Sequence, residues 1–366
     1  MNYLDGFRNP DAAVALTARI ARLADDLARQ GCQATVMEVC GTHTMAIARY
    51  AIRDVLPQQV ELVSGPGCPV CVTDAGYIDA AIELARRGIV IATFGDMVRV
   101  PGSQGTLADV REEGFDVEVC YSPMGAVDLA LANPDREIVF LAIGFETTTA
   151  PVVTLVDYAI KHAIKNLSLL VAFKCVPPAL AALVTDPEIR VDAFLCPAHV
   201  SAIIGEKAYR PFVEAYHVPC VIAGFEPLDI LYGLHEILRQ VSRGEAAVVN
   251  QYSRVVRSDG NVVAQRLMAT YLETVDVSWR GIGIIPGSGL ALRASYGEYD
   301  ATCRHAIEVS SGTSDPGCRC GDVLKGKIKP PECPLFGAAC TPLNPVGPCM
   351  VSSEGSCAAY YRYARG

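Results

Sequence analysis

The first long pattern in the chain is helical. In NPDAAVALTARIARLADDLARQG (residues 9–31), Val14, Leu16, Ile20, Leu23 and Leu27 recur near every third or fourth position, which predicts a helix with one core-facing stripe. Asn9 can cap it, Pro10 suits its first position and Gly31 can end it. The period then changes. ATVMEVCGTHT (34–44) reads as a short apolar strand running into a loop with Cys40, Thr42, His43 and Thr44. GIVIATFGDMVRVPG (88–102), EIVFLAIGFETTTAP (137–151) and VPCVIAGFEPLDIL (218–231) repeat that plan, a β-branched strand before a loop bearing Gly, Phe and an acid. LSLLVAFKCVPP (167–178) and VDAFLCPAHVSA (191–202) are similar strands that end in stretches bearing Cys and Pro.

Helical patterns such as GYIDAAIELARRG (76–88) and LDILYGLHEILRQV (228–241) lie between these strands. Strands alternating with helices predict an α/β protein with largely parallel sheets. GFETT near 144 is similar to GFEP near 224, and GCPVCVT near 67 to LCPAHVS near 195, which suggests two related α/β lobes, over 1–135 and 136–275. Loops at the carboxyl ends of parallel strands are where function gathers. That placement would bring Cys40, Cys68, Asp96 and Glu146 towards one another. The Gly-rich GIGIIPGSGLALR (281–293) reads as a loop, and it lacks the Lys-Ser/Thr or the glycine spacing of a phosphate cradle.

From residue 276 to 366 a third region is expected, and from about residue 300 the texture is rich in Cys, Pro and Gly and poor in periodicity. A segment of that kind buries little core by itself, so a metal centre is the expected organiser.

Composition narrows the classes. The 366 residues are half apolar and carry a net charge of −9, with no Lys/Arg cluster, so a nucleic-acid partner is not expected. No stretch has the apolar length of a membrane span, and MNYLDGFRNPDAAV lacks the apolar core of a signal peptide, so a cytoplasmic location is expected.

Fifteen cysteines then change the picture, because thiols stay reduced in that compartment and clusters of them point to metal or redox chemistry. Six lie in the tail: Cys318, Cys320, Cys333, Cys340, Cys349 and Cys357. No C-x-x-C knuckle of the kind that zinc favours occurs there, whereas iron–sulfur clusters accept looser spacing through four thiolates. A structural zinc tail and simply buried thiols stay open at this point, and spacing does not fix which four would bind. Four ligands beside a dithiol resemble the arrangement of ferredoxin:thioredoxin reductase. On that analogy Cys318, Cys333, Cys340 and Cys357 hold a [4Fe–4S] cluster, and Cys320 and Cys349 form a redox pair.

Towards the N-terminus, Cys40 stands three residues before His43, an arrangement that suits a nucleophile or a metal ligand. Cys68-Pro-Val-Cys71, after Gly-Pro-Gly, has the spacing of a redox dithiol or half a metal site. Cys32, Cys120, Cys175, Cys196, Cys220 and Cys303 are expected to behave as small buried apolar residues. His162, His199, His217 and His235 are expected at the surface or satisfied in the core.

MEVCGTHTMAIARY (37–50), SGPGCPVCVT (64–73), TFGDMVRVPG (93–102), GFETTTAP (144–151) and CPLFGAACTPLNPVGPCMVSSEGSCAAYY (333–361) together resemble the HypD family, the maturation proteins of [NiFe]-hydrogenases, over almost the whole chain. The resemblance implies an assembly scaffold that pairs with a HypC-type chaperone. The two would hold an Fe(II) ion while cyanides from a HypE-type thiocyanate carrier and one carbon monoxide are attached. It makes Cys40 the leading iron ligand and Cys68 and Cys71 a dithiol at the metal that feeds electrons to the site, and it matches the tail to a [4Fe–4S] domain. His43 would exchange a proton near the metal, and Asp96 and Glu146 would orient ligands or steer partners. A stand-alone iron–sulfur thiol–disulfide oxidoreductase is the competing reading.

Overall fold

The computed structural model describes residues 5–363. Its strands are, in chain order, β1 Ala34–Glu38, β2 Val60–Ser64, β3 Val90–Thr93, β4 Val117–Val119, β5 Ile138–Gly144, β6 Leu167–Lys174, β7 Ala193–Pro197, β8 Cys220–Ala223, β9 Val248–Asn250, β10 Leu272–Trp279 and β11 Gly283–Leu292. They form two sheets. One has the order β2-β1-β7-β8-β9 and is parallel throughout. The other has the order β10-β11-β6-β5-β3-β4, parallel from β6 to β4 and closed on its far side by the antiparallel β10–β11 hairpin. Every residue of β5 and β1 is buried, as expected for parallel strands covered by helices on both faces.

The expected α/β class with largely parallel sheets is therefore present, but the sheets are not consecutive in sequence. The chain lays down β1 and β2, crosses through the helix Ala75–Arg86 to build β3 to β6 in the other sheet, and returns for β7 to β9. Strands of 1–135 and of 136–275 are thus shared between both sheets, and residue 276 falls inside β10. The local patterns identify strands well; they carry no information on which sheet a strand joins, because buried parallel strands read alike.

The first helix runs from Pro10 to Arg29, with the Asn9 side chain accepting the Ala12 amide at 3.1 Å. Its buried stripe is Leu16, Ile20, Ala24 and Leu27, whereas Val14 is 71% exposed. Ala24, not Val14, completes the stripe, since small residues fill the face where the helix packs closely on the helix Pro227–Arg243. The Gly-rich stretch 281–293 is not a loop: most of it is β11, paired along β10. Trp279, buried at the end of β10, donates from Nε1 to Ser288 Oγ at 2.8 Å and ties the hairpin.

The tail is joined to the core of the rest of the chain. Cys320, Leu324, Cys340, Cys349, Met350, Val351 and Cys357 share one continuous core with Cys68, Cys71 and Tyr77. The helix Ser356–Tyr363 packs on the helix Gly41–Arg49. Irregular segments that bury so little individually are held by the large core they join. Among the other cysteines Cys120, Cys196 and Cys220 are buried, Cys175 is half-buried, and Cys32 and Cys303 are exposed, against expectation. Both exposed cysteines stand where a helix has just ended or is ending, whereas the other four lie in strands or one residue past a strand's end. Among the described residues, no helix is long and apolar enough to cross a membrane.

Candidate functional site

The carboxyl ends of both sheets meet around one cavity of about 150 Å³. β1 delivers Cys40 and Thr42, β7 delivers His199 two residues past its end, β5 delivers Thr147 and Thr148, and Glu354 comes from the tail. Cys40 and His199 occupy equivalent places, each two residues beyond its strand, and β1 and β7 are hydrogen-bonded neighbours.

Cys40 is 6% exposed and caps the helix Gly41–Arg49. Burial pushes its thiol up to about 12, opposed by the His43 and Thr42 amides and reinforced by Glu354. The free thiol is therefore protonated at neutral pH, and a metal ion would have to displace the proton. Glu38, fully buried, accepts the Cys40 amide at 3.4 Å and the Thr44 hydroxyl at 2.7 Å, with the Arg53 guanidinium 3.9 Å away. Burial raises its carboxyl to about 7 despite that cation. Thr42 Oγ1 donates to Glu354 at 2.8 Å, while the hydroxyl of Thr147, another lining residue, is buried without a partner. The cavity thus offers a thiol, an imidazole, a carboxylate and hydroxyls, a donor set suited to a borderline-soft divalent ion.

The other expected residues divide. The Cys68 loop abuts Cys40 through its backbone: the Gly41 amide donates to the Gly67 carbonyl at 2.9 Å, and a Cβ on Gly67 would stand 2.3 Å from the Cys40 nitrogen. Cys68 and Cys71, however, are buried and do not line the cavity with Cys40. They sit behind it, with the Cys71 amide donating to Cys68 Sγ at 3.3 Å. His43 turns away as well. Its Nε2 donates to the carbonyls of Ala223 and Gly224 at 3.1 and 3.0 Å, burial lowers it to about 4, so it stays neutral, and it does not line the cavity. Asp96 lines a different hollow, with Arg99 and Tyr361.

Glu146 is buried between Phe145 and Thr147, both of which line the cavity, its Oε1 accepting the Val176 amide at 3.0 Å and its Oε2 without a partner. Burial raises its carboxyl to about 7. The folded protein holds a proton there that the unfolded chain has released, so the associated stability is present below about pH 4.5 and is lost as pH rises through 7. A shift of that size corresponds to about 3 kcal/mol at most. Urea midpoints of Glu146→Gln against the parent should accordingly favour the variant more at pH 8 than at pH 5. An equal difference at both pH values would remove this account.

All six tail cysteines line one small apolar space with Leu335, Phe336 and Met350. No three of the described His, Cys, Asp or Glu side chains are drawn together as a ready coordination shell. The donor chemistry nevertheless suits an iron–sulfur cluster: soft thiols only, in an apolar surround. Cys320 and Cys349 lie side by side, with their Sγ atoms 2.7 Å apart. Cys349 is also a neighbour of Cys71 and of Cys357. A line of thiols therefore runs Cys68–Cys71–Cys349–Cys320–Cys318 through the interior.

His199, Glu354, Thr147 and Thr148 were not singled out from the sequence. The signal for His199 is its place in CPAHVS just after a strand; Glu354, in an irregular tail, carries none.

A family model described as "Hydrogenase formation hypA family", HypD, matches residues 12–364. The hydrogenase maturation factor HypD of Azotobacter vinelandii is 47% identical over 373 residues, covering 100% of this chain and 97% of that protein. The hydrogenase expression/formation protein HupD of Azotobacter chroococcum is 46% identical with the same coverage, and HypD of Escherichia coli is 41% identical over 99% of this chain and 98% of its own. The cavity at the joined strand ends, the buried dithiol and the six-cysteine tail are thus features of a chain that belongs to the HypD family.

Proposed function

We propose that this chain is a hydrogenase maturation factor on which the Fe(CN)2CO group of [NiFe]-hydrogenases is assembled. The observation that carries the reading is the cavity itself, where Cys40 is the single thiol among His199, Glu354, Thr42, Thr147 and Thr148. One thiolate from this chain leaves room for a second from a HypC-type chaperone at the open side. Iron is the cargo: Cys40 holds it, and the hydroxyls and the carboxylate orient what is attached.

Cyanide from a HypE-type thiocyanate carrier arrives as R–S–C≡N. Its release as cyanide breaks the S–C bond and requires two electrons, leaving the carrier as a thiol. Cys68, whose neighbours Gly67 and Pro69 line the cavity, attacks the carrier sulfur and releases cyanide, and Cys71 then closes the disulfide and releases the carrier thiol, so that R–SCN and two thiols give R–SH, cyanide with its proton, and one disulfide. Cys349, next to Cys71, exchanges with that disulfide and passes the oxidation to Cys320. Cys318, Cys333, Cys340 and Cys357 are the residues to hold a [4Fe–4S] cluster, which when bound is a source of single electrons for the Cys320/Cys349 pair.

The line of thiols also favours a second reading, a stand-alone thiol–disulfide oxidoreductase. Infrared spectroscopy of the anaerobically purified complex with a HypC-type chaperone separates the two. The scaffold reading expects iron beyond the cluster content together with C≡N and C≡O stretching bands. Protein with a cluster and an active dithiol that never acquires those bands would leave only the oxidoreductase.

A further inference from the structure

A second, larger hollow of about 580 Å³ opens beside the tail, with a lining that does not include Cys40. Arg280, Cys318 and Cys320 line it, with the backbone of Gly281 and Gly321 and with Asp315. Arg280 is 6% exposed; its Nη2 donates to the Pro101 carbonyl at 2.9 Å, but its Nε is buried with no partner. Gly281 and Gly321 touch backbone to backbone, a Cβ on Gly281 standing 2.4 Å from the Gly321 Cα, so that no side chain fills the space beside the thiols. Asp322 pairs with Arg319, which leaves the Arg280 guanidinium and the Asp315 carboxylate as the opposed charges of the hollow.

An unsatisfied buried guanidinium is costly unless an anion reaches it, and a carboxylate is its best-matched partner. A carboxylate opposite a cation, beside a thiol, is the complement of an amino-acid zwitterion that carries its own thiol. We infer that this hollow binds a low-molecular-weight aminothiol carboxylate, a thiol amino acid or short peptide, which reduces the Cys320/Cys349 pair. Cys320 lines the hollow, so the ligand thiolate attacks its sulfur and Cys349 leaves as the thiolate. A second ligand thiol then attacks the mixed disulfide, so that two R–SH and one protein disulfide give R–S–S–R and two protein thiols.

The inference rests on the redox role given above to Cys320 and Cys349, and its test separates the two. The full chain is oxidised anaerobically with diamide, the Cys320–Cys349 link is verified by peptide mass mapping, and reduction is timed with L-cysteine and with cysteamine, which lacks the carboxylate. Cysteine should act about tenfold faster than cysteamine at equal thiolate concentration, the scale of one charge-assisted hydrogen bond, and Arg280→Gln should bring the ratio near one. Equal rates in the parent protein, or an unchanged ratio in Arg280→Gln, would overturn the inference while leaving the redox pair in place. Failure of Cys320 and Cys349 to link at all would overturn both.

Discussion

Cys40→Ala is expected to leave the fold intact and to empty the cavity of iron. The side chain is small, and its truncation removes one sulfur from the edge of a cavity, well short of the packing loss that unfolds a domain. Its neighbours keep their own bonds: Glu38 still accepts the residue-40 amide, and the Gly41 amide still reaches Gly67. For the metal the loss is severe. Removing an outer group that merely orients a ligand costs up to about a hundredfold in affinity, so removing the only thiol in the cavity should cost at least that. Glu354→Gln, which alters the carboxylate but leaves the thiol, should fall within the smaller range. Iron per chain and the C≡N and C≡O bands of the complex with a HypC-type chaperone are the measurements, with thermal melting as the check on folding. A Cys40→Ala protein that retains iron and bands would transfer the ligand role elsewhere, and His199 would be the first residue to examine.

What was legible in the sequence follows physical lines. Strand and helix positions were, because period and capping are local: Asn9 before Pro10 marks the start of the first helix without reference to anything distant. The placement of Cys40, Cys68, Asp96 and Glu146 at strand ends was legible for the same reason. Which strand ends meet was not, because that depends on the chain leaving its first sheet and returning to it. Hence Asp96 lies in another hollow, while His199, expected at the surface or satisfied in the core, is carried to the cavity of Cys40 by the pairing of β1 with β7. The fate of His43 turns on two carbonyls at the end of β8, 180 and 181 residues away, which no local pattern announces. The hairpin over 272–292 was hidden by its glycines, which read as a loop until Trp279 and Ser288 supply the tie.

Cys349→Ser is expected to sever the redox path while leaving iron binding at Cys40 unchanged. Cys71 is 0% exposed and Cys68 3%, so a disulfide between them is shielded from thiols in bulk solution once the cavity beside Cys68 is occupied by its cargo. Exchange must come from within, and Cys349 is the thiol adjacent to both Cys71 and Cys320. A serine there has nearly the same shape but its hydroxyl does not exchange, so reduction of a Cys68–Cys71 disulfide should slow by on the order of a hundredfold or more. The experiment oxidises both pairs, adds L-cysteine, and follows each by mass mapping. In the parent protein the Cys320–Cys349 link should open first and the Cys68–Cys71 link after it. In the variant, which has no Cys320–Cys349 link to open and no thiol at 349 to pass the exchange on, the Cys68–Cys71 link should persist. Reduction of that link at the parental rate in Cys349→Ser would show that electrons reach the dithiol by another route. The tail would then be a structural neighbour of the dithiol, not its supply.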